Sequence, residues 1–365
     1  MESSTEPEPK TTTDILSRCM NLLSQCMPSN WSTFKVTDES SYWDLSPDGQ
    51  IGLRSPDGME ALLIIEAKRI LERRDVPAVT QQLNRLTQFR QNTAGVVVAR
   101  YLAPSVREAL VKEGLAFVDA TGNMRVDISR PGLFISCQGA NRDPWRGPGR
   151  PRGSLKGAPA AKIVRALVDF PIAPWNIREL IDVSGVSTGA AYRVVEHLER
   201  EALIERDDNG KILAREWRPL LRAWSKDYGF TRSSRVASYI EPRGLPSFLG
   251  KASKSSGINY AVTGTVAAAE WAPYAPARSV LVYVENADIA AKAWGLRPSE
   301  AGTNVLLAEP ESDVVFQRKL TTVDGIEIAA PAQVAVDLMT GPGRNPSEAE
   351  ELMDWMERNE SSWRK

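Results

Sequence analysis

Apolar residues recur at helical spacing near the start of the chain, at Ile15, Cys19, Leu22 and Leu23, and this predicts an amphipathic helix over Thr13–Met27. Strand-like runs follow at Thr33–Val36 and Gln50–Arg54. A Ser55-Pro56-Asp57-Gly58 turn then leads into Met59–Lys68, whose Leu62-Leu63-Ile64-Ile65 run suits a buried strand. A helix opening at Pro77 turns Val79, Leu83 and Leu86 inward. The wholly apolar Gly95–Ala99 reads as a strand and precedes a helix from Pro104 that Gly114 stops. Leu115–Val118, Met124–Ile128 and Leu133–Ser136 read as further strands. Such alternation predicts one layered α/β domain over 13–140, after a polar tail over 1–12 expected to lack structure.

Periodicity disappears between residues 140 and 160, where Gly, Pro and Arg dominate, so 141–157 reads as a linker. Helical spacing returns in Ala160–Phe170, with Ile163, Val164, Leu167 and Val168 apolar. Trp175–Val183 predicts a second helix, Ser184-Gly185-Val186-Ser187 a tight turn, and Thr188–Ala202 a third helix with Ala191, Val194, Val195 and Leu198 inward. Leu203–Leu213 then reads as strand, Asp/Asn-Gly turn, strand. A small helical domain over 158–225 follows from this order. The rest, 226–365, mixes helices with strands such as Ser279–Glu285; Val323-Asp324-Gly325-Ile326 is a hairpin signal. Ser347 with Glu350 predicts a capping box at the start of the last helix. The expected fold class is thus α/β and α+β multidomain.

Charge changes this picture. The chain carries a net charge of −1, but residues 142–240 sum to +6 while the segments on either side are acidic. Arg142, Arg146, Arg150, Arg152, Lys156, Lys162 and Arg165 face the single acid Asp143 within 142–165. A basic block confined to the middle points to an anionic partner there. No window reaches the roughly 20 apolar residues that span a bilayer, and the acidic N-terminus lacks the character of a signal or transit peptide. Three cysteines without ligand spacing argue for a reducing, cytoplasmic setting and against a disulfide framework. The single histidine, His197, argues against a His-based zinc site.

Helix, helix, turn, helix and hairpin is the order of a winged helix–turn–helix, and 158–225 resembles the winged-helix domains of bacterial regulators of the IclR and MarR types. That resemblance implies double-stranded DNA as partner. With the third helix in the major groove, Ser187, Thr188, Gly189, Tyr192 and Arg193 would face it. Arg193 suits a bidentate contact to guanine, and the hydroxyl residues suit phosphates or base edges. Arg206 and Lys211 on the wing would reach the backbone. Glu196, Glu199 and Glu201 on the same helix keep a protein-contact role open. Gly149-Arg150-Pro151-Arg152-Gly153 looks like an AT-hook core, in which proline holds two arginines extended along a minor groove. Arg146 and Lys156 extend this to phosphate contacts, which a basic linker would make in any case.

In the N-terminal domain, Glu66-Ala67-Lys68 ends an apolar strand that follows a hairpin. This resembles the PD-(D/E)XK nuclease-like fold, whose chemistry needs carboxylates to hold Mg²⁺ and a lysine to orient water. Glu66 and Lys68, two apart on a strand, share a face. A five-residue Ser55–Met59 loop makes paired positions sum to 114 and sets Asp48 across from Glu66; a four-residue loop turns Asp48 to the opposite face. Asp44 is the other candidate acid, Gln50 occupies a position where Asp would also fit, and Gln81 and Gln82 are placed to line the site. Asp48, Glu66 and Lys68 form the catalytic set on this reading, with Asp48 and Glu66 as the Mg²⁺ ligands; a degenerate, binding-only domain is the alternative.

A broader likeness runs through Val97–Leu110, Phe117–Asn123, Ser184–Ala190, Leu198–Leu203, Ala329–Leu338, Arg344 and Glu348–Leu352. These are similar to the AbiEi-type antitoxins of type IV toxin–antitoxin systems. The resemblance implies a DNA-binding regulator or antitoxin that represses its own operon, with a nucleotidyltransferase-type toxin as partner. The flanking α/β domains are expected to set dimerisation, giving a homodimer, and the regulator reading calls for no cofactor. Typical short antitoxins begin with the winged helix, whereas here another domain precedes it. Asp119, Gly122 and Asn123 read as a turn between strands. The expected function is a sequence-specific DNA-binding regulator or antitoxin-like repressor. The alternatives are a Mg²⁺-dependent nuclease of a defence system and a non-DNA interaction scaffold.

Overall fold

A capping box between Thr11 and Asp14 opens helix α1 (Thr12–Cys26) in the computed structural model, which describes residues 7–36, 47–88, 90–145, 153–171, 173–207 and 209–364. The chain divides into two compact units, Met1–Pro151 with Arg200–Ala202, and Arg152–Glu199 with Leu203–Lys365. Both combine helices with sheets, so the protein is mixed α/β, with thirteen helices among the described residues. No helix of the described residues is long and apolar enough to cross a membrane.

In the first unit α1 is followed by strands β1 (Ser32–Lys35), β2 (Gly49–Arg54) and β3 (Glu60–Lys68) and helix α2 (Val76–Thr87). Strand β4 (Thr93–Ala99), helix α3 (Pro104–Lys112) and strands β5 (Ala116–Asp119), β6 (Met124–Ile128) and β7 (Leu133–Cys137) complete it. The seven strands form one sheet in chain order. Pairing is antiparallel from β1 to β3, parallel through β3, β4 and β5, and antiparallel again to β7. Alternate residues of β3 and β4 serve opposite layers. Leu63, Ile65, Val96 and Val98 pack with Ile15, Cys19 and Leu23 of α1. Ile64 and Val97 pack with Val79 and Leu83 of α2 and Val106 and Leu110 of α3.

The tail expected to lack structure is held from residue 7 onward. Pro9 is buried, Pro7 accepts a hydrogen bond from Arg18, and Glu8 pairs with Arg100 at 3.0 Å. The linker is likewise fastened before its basic centre, where Asp143 binds Arg100 and the Trp145 ring lies against the guanidinium groups of Arg18 and Arg100.

The second unit begins with helices α4 (Gly157–Asp169), α5 (Ile177–Ser184) and α6 (Thr188–Arg200), a two-strand ribbon of β8 (Glu205–Arg206) and β9 (Ile212–Leu213), and helix α7 (Trp217–Ser225). Asn176 and Glu179 form the capping box of α5, and Gly185 ends it in the left-handed conformation at φ 64°. Beyond lie β10 (Ser234–Ile240), α8 (Leu245–Ala252), β11 (Tyr260–Thr263), α9 (Gly264–Ala268), β12 (Val280–Val284), α10 (Ala287–Trp294), β13 (Arg297–Pro298) and β14 (Val305–Pro310). Strands β15 (Leu320–Thr321) and β16 (Glu327–Ile328) precede helices α11 (Pro331–Met339), α12 (Asn345–Arg358) and α13 (Glu360–Trp363). Their sheet is mixed, in the order β13-β10-β14-β12-β11-β16-β15.

Two expectations change here. A separate domain over 158–225 was expected, yet Val164 and Leu167 of α4 and Leu198 of α6 belong to the same core as Val282 of β12 and Leu338 of α11. Helix α4 packs against α11 and the Asp313–Phe316 turn, and α7 packs against α11, so 226–365 is not a detached domain. The last long helix begins before Ser347, with Pro346 in its first turn and no side-chain cap; proline fits that position because its missing N–H would be unpaired there.

Candidate functional site

The β2–β3 hairpin decides the geometry of the first candidate site. Gly58 takes φ 82°, and the Ser55 hydroxyl donates to the Met59 carbonyl, so the loop spans five residues. Ile51 accordingly pairs with Leu63 and Gly49 with Ile65. One step further, Asp48 falls across from Glu66, and its Oδ2 accepts the Ala67 N–H at 2.8 Å. The Asp48 carboxylate thus caps the ladder where the backbone pairs end.

Glu66 is 3% exposed, and both of its oxygens are engaged. Lys68 Nζ donates to Oε1 at 2.5 Å, and Gln82 Nε2, reaching from α2, donates to Oε2 at 2.7 Å. Gln81, the other glutamine expected here, is exposed to solvent. Gln50, on β2 two residues after Asp48, keeps a buried Oε1 without a hydrogen-bond partner. Asp44 lies outside the described residues. The structure therefore assembles Asp48, Glu66, Lys68 and Gln82 at one end of β3.

No group of three or more His, Cys, Asp or Glu side chains able to hold a metal occurs among the described residues. Mg²⁺ does not require one: it takes one or two carboxylates and completes its shell with water and substrate phosphate. The donor chemistry fits such an ion: Asp48, Glu66 and the unsatisfied Gln50 Oε1 offer only oxygen, and a carboxylate oxygen engaged by one donor retains a lone pair.

The second candidate surface is the outward side of α6. Inward, Ala190, Ala191, Val194, Val195 and Leu198 are buried. Ser187, Thr188, Gly189, Tyr192 and Arg193 are all exposed, Tyr192 at 44%. A Cβ at Gly189 would meet nothing within 4 Å, which leaves room for close approach by a ligand. Lys156, immediately before α4, and Lys211 in the ribbon are also exposed. Arg206 departs from expectation: its guanidinium donates to Glu199 at 3.1 Å and to the Gly210 carbonyl, so it ties the ribbon to α6 instead of extending outward. Arg146, Arg150 and Arg152 lie outside the described residues.

The Gly153 backbone rests against the ring of His197 on α6; a Cβ at 153 would come within 2.5 Å of that ring. Two residues on, Leu155 is buried and its N–H donates to Asp227 at 2.8 Å. The end of the basic segment is therefore seated on the second unit beside α6.

Asp119, Gly122 and Asn123 form the expected turn. Asp119 accepts from the Leu102, Thr121 and Asn123 amides, the Thr121 hydroxyl and the Asn123 side chain, while Gly122 takes φ 93°. A carboxylate so saturated holds the turn together.

A buried polar network in the second unit was missed from the sequence. Asp337 accepts from Thr263, Tyr283 and Gln333. Gln333 in turn donates to Tyr228 and accepts from Arg165, which pairs with Asp169. Burial pushes Asp337 up to about 7, against the lowering effect of its three donors and of Arg165. The available signal was Gln333 and Asp337, four apart in the otherwise apolar Pro331–Met339 and hence on one helical face.

No family model and no curated protein matches this chain. Among solved structures it is similar to EndoMS in its apo form, at 18% identity and a TM-score of 0.19; the match covers 31% of this chain and 47% of that one. The chain thus spans about half the length of that protein.

Proposed function

We propose that this chain is a duplex-DNA-binding regulator in which α4, α5, α6 and the β8–β9 ribbon act as a winged helix–turn–helix with α6 in the major groove. The observation that carries the reading is the set Ser187, Thr188, Gly189, Tyr192 and Arg193. They are exposed together at the start of α6 and on the residue just before it, and no side-chain hydrogen bond or ion pair engages Ser187, Thr188, Tyr192 or Arg193 among the described residues. Hydroxyls, an aromatic ring and an uncommitted guanidinium are the groups that reach phosphates and base edges. Lys156 and Lys211 add backbone contacts, as do Arg146, Arg150 and Arg152 by their charge. In this reading the first unit is a restriction-endonuclease-like domain and the C-terminal elements are AbiEi-like. The protein acts as a homodimer on a two-fold site, with repression of its own operon and a toxin partner as the antitoxin form of the proposal. Fluorescence anisotropy with a labelled duplex tests it: binding that weakens steeply with added salt is expected, and absence of binding at low salt overturns it.

A second reading, Mg²⁺-dependent phosphodiester hydrolysis, is favoured by the convergence of Asp48, Glu66, Lys68 and Gln82. Asp48 and Glu66 would hold the ion, which when bound supplies Lewis acidity and a more acidic water. Lys68, already against Glu66, carries the positive charge that meets a phosphate oxygen and orients the attacking water. Gln82 fixes the rotamer of Glu66. Supercoiled plasmid incubated with Mg²⁺ tests this reading separately from binding.

A further inference from the structure

Cys26 is the last residue of α1, and Cys137 is the last residue of the edge strand β7. They are 111 residues apart in the chain, yet Cys137 Sγ donates to Cys26 Sγ at 3.3 Å, with both present as free thiols. Cys26 is exposed and Cys137 half-buried. The third thiol, Cys19, is fully buried on the inner face of α1.

We propose that Cys26 and Cys137 form a reversible thiol–disulfide site that takes low-molecular-weight disulfides as its oxidant. The exposed Cys26 thiolate attacks one sulfur of the small disulfide, giving a mixed disulfide and releasing one small thiolate. The Cys137 thiolate then attacks the Cys26 sulfur, forming the Cys26–Cys137 bond and expelling the second small thiol. Two thiol protons leave the protein, and its two electrons reduce the small disulfide to two thiols. The division of roles follows from access, since an oxidant meets Cys26 first and Cys137 faces the Cys26 sulfur. The hydrogen bond to Cys26 and partial burial both raise the Cys137 thiol above its ordinary range, consistent with the resolving role. Cys19 takes no part, because burial beside the Ala99 and Val118 carbonyls shields it and pushes its thiol up. The bond would join the end of α1 to β7, just before the Gly139–Ala140 segment that binds Asn123 and Thr121. A pair of this kind in a reducing compartment is regulatory, because the compartment's own thiols reverse it.

The full chain is treated with oxidised glutathione and followed by intact mass and by thiol alkylation under denaturing conditions. Wild type is expected to lose two hydrogens, to keep one alkylatable thiol, Cys19, and to regain all three with dithiothreitol. Cys137→Ser is expected to stop at a stable glutathione adduct on Cys26, and Cys26→Ser to form no internal bond. Three alkylatable thiols after treatment of wild type, or a wild-type adduct that never resolves, overturn the proposal.

Discussion

Gln82 of α2 holds the carboxylate of Glu66 on β3, its Nε2 lying 2.7 Å from Glu66 Oε2. The contact fixes the orientation of a side chain whose other oxygen is bound by Lys68. If this site hydrolyses phosphodiesters, Glu66→Ala abolishes Mg²⁺-dependent nicking of supercoiled plasmid. Gln82→Leu leaves the carboxylate in place without its support and lowers the rate by about 10- to 100-fold, the usual cost of losing a partner that orients a metal ligand. Wild type as inert as Glu66→Ala with Mg²⁺ and with Mn²⁺ rules out cleavage and leaves DNA binding untouched.

Arg193 carries the specific part of the binding proposal. Loss of one bidentate guanidinium contact to a base costs roughly tenfold or more in affinity for the preferred sequence, so Arg193→Ala should weaken that duplex more than a random one. Lys156→Ala and Lys211→Ala should instead weaken all duplexes alike and each lower the salt slope by about one. Anisotropy titrations at several salt concentrations separate the two patterns. Equal losses for specific and random duplexes in Arg193→Ala would remove α6 as the reader.

The arrangement around Glu66 was legible in the sequence because it is local. A hairpin loop of five residues fixes the register, and the register alone brings Asp48 opposite Glu66. Gln82 was within reach because a helix beginning one strand-turn later must cover β3. The outward face of α6 was legible for a similar reason, since a 3.6-residue period separates Ala191, Val194 and Leu198 from Tyr192 and Arg193. What periodicity could not reveal was which apolar surfaces share a core. The inward stripe of α4 reads the same whether a small domain closes on itself or, as here, packs with α11 and the second sheet. The commitment of Arg206 to Glu199 was also hidden, because a seven-residue separation across a turn has no periodic signature.

Arg165 joins α4 to the C-terminal elements and is 1% exposed. It pairs with Asp169 at 2.8 Å and donates to Gln333 and to the Val314 and Gln317 carbonyls. Arg165→Met would leave a buried carboxylate and two carbonyls without their cation, at a cost of about 3–5 kcal/mol. Replacing both partners, as in Arg165→Met with Asp169→Leu, should recover much of that loss. Urea midpoints of the second unit measure both. Equal destabilisation by the single and double variants would mean that packing, not the uncompensated charge, sets the cost.

Asp337 gives the stability of the second unit a definite pH dependence. Burial is the main reason its carboxyl is held up to about 7, whereas an unfolded chain titrates it in the ordinary carboxylate range near 4. Between those values the folded state keeps a proton that the unfolded state has released. The contribution of Asp337 is therefore complete below about pH 4, declines by at most about 1.4 kcal/mol per pH unit as pH rises, and is lost above about pH 7. Tyr228 and Tyr283 face the same cluster, but burial raises both phenols above their ordinary range, so they remain neutral throughout this interval. Asp337→Asn keeps the shape and can bond to the Thr263 and Tyr283 hydroxyls, which donate or accept as required. The variant should show a flatter profile of urea midpoint against pH over this interval than wild type, the two diverging most between pH 4 and pH 7. Parallel profiles would show that Asp337 does not hold its proton in the folded state and that Arg165, through Gln333, compensates the ionised carboxylate instead.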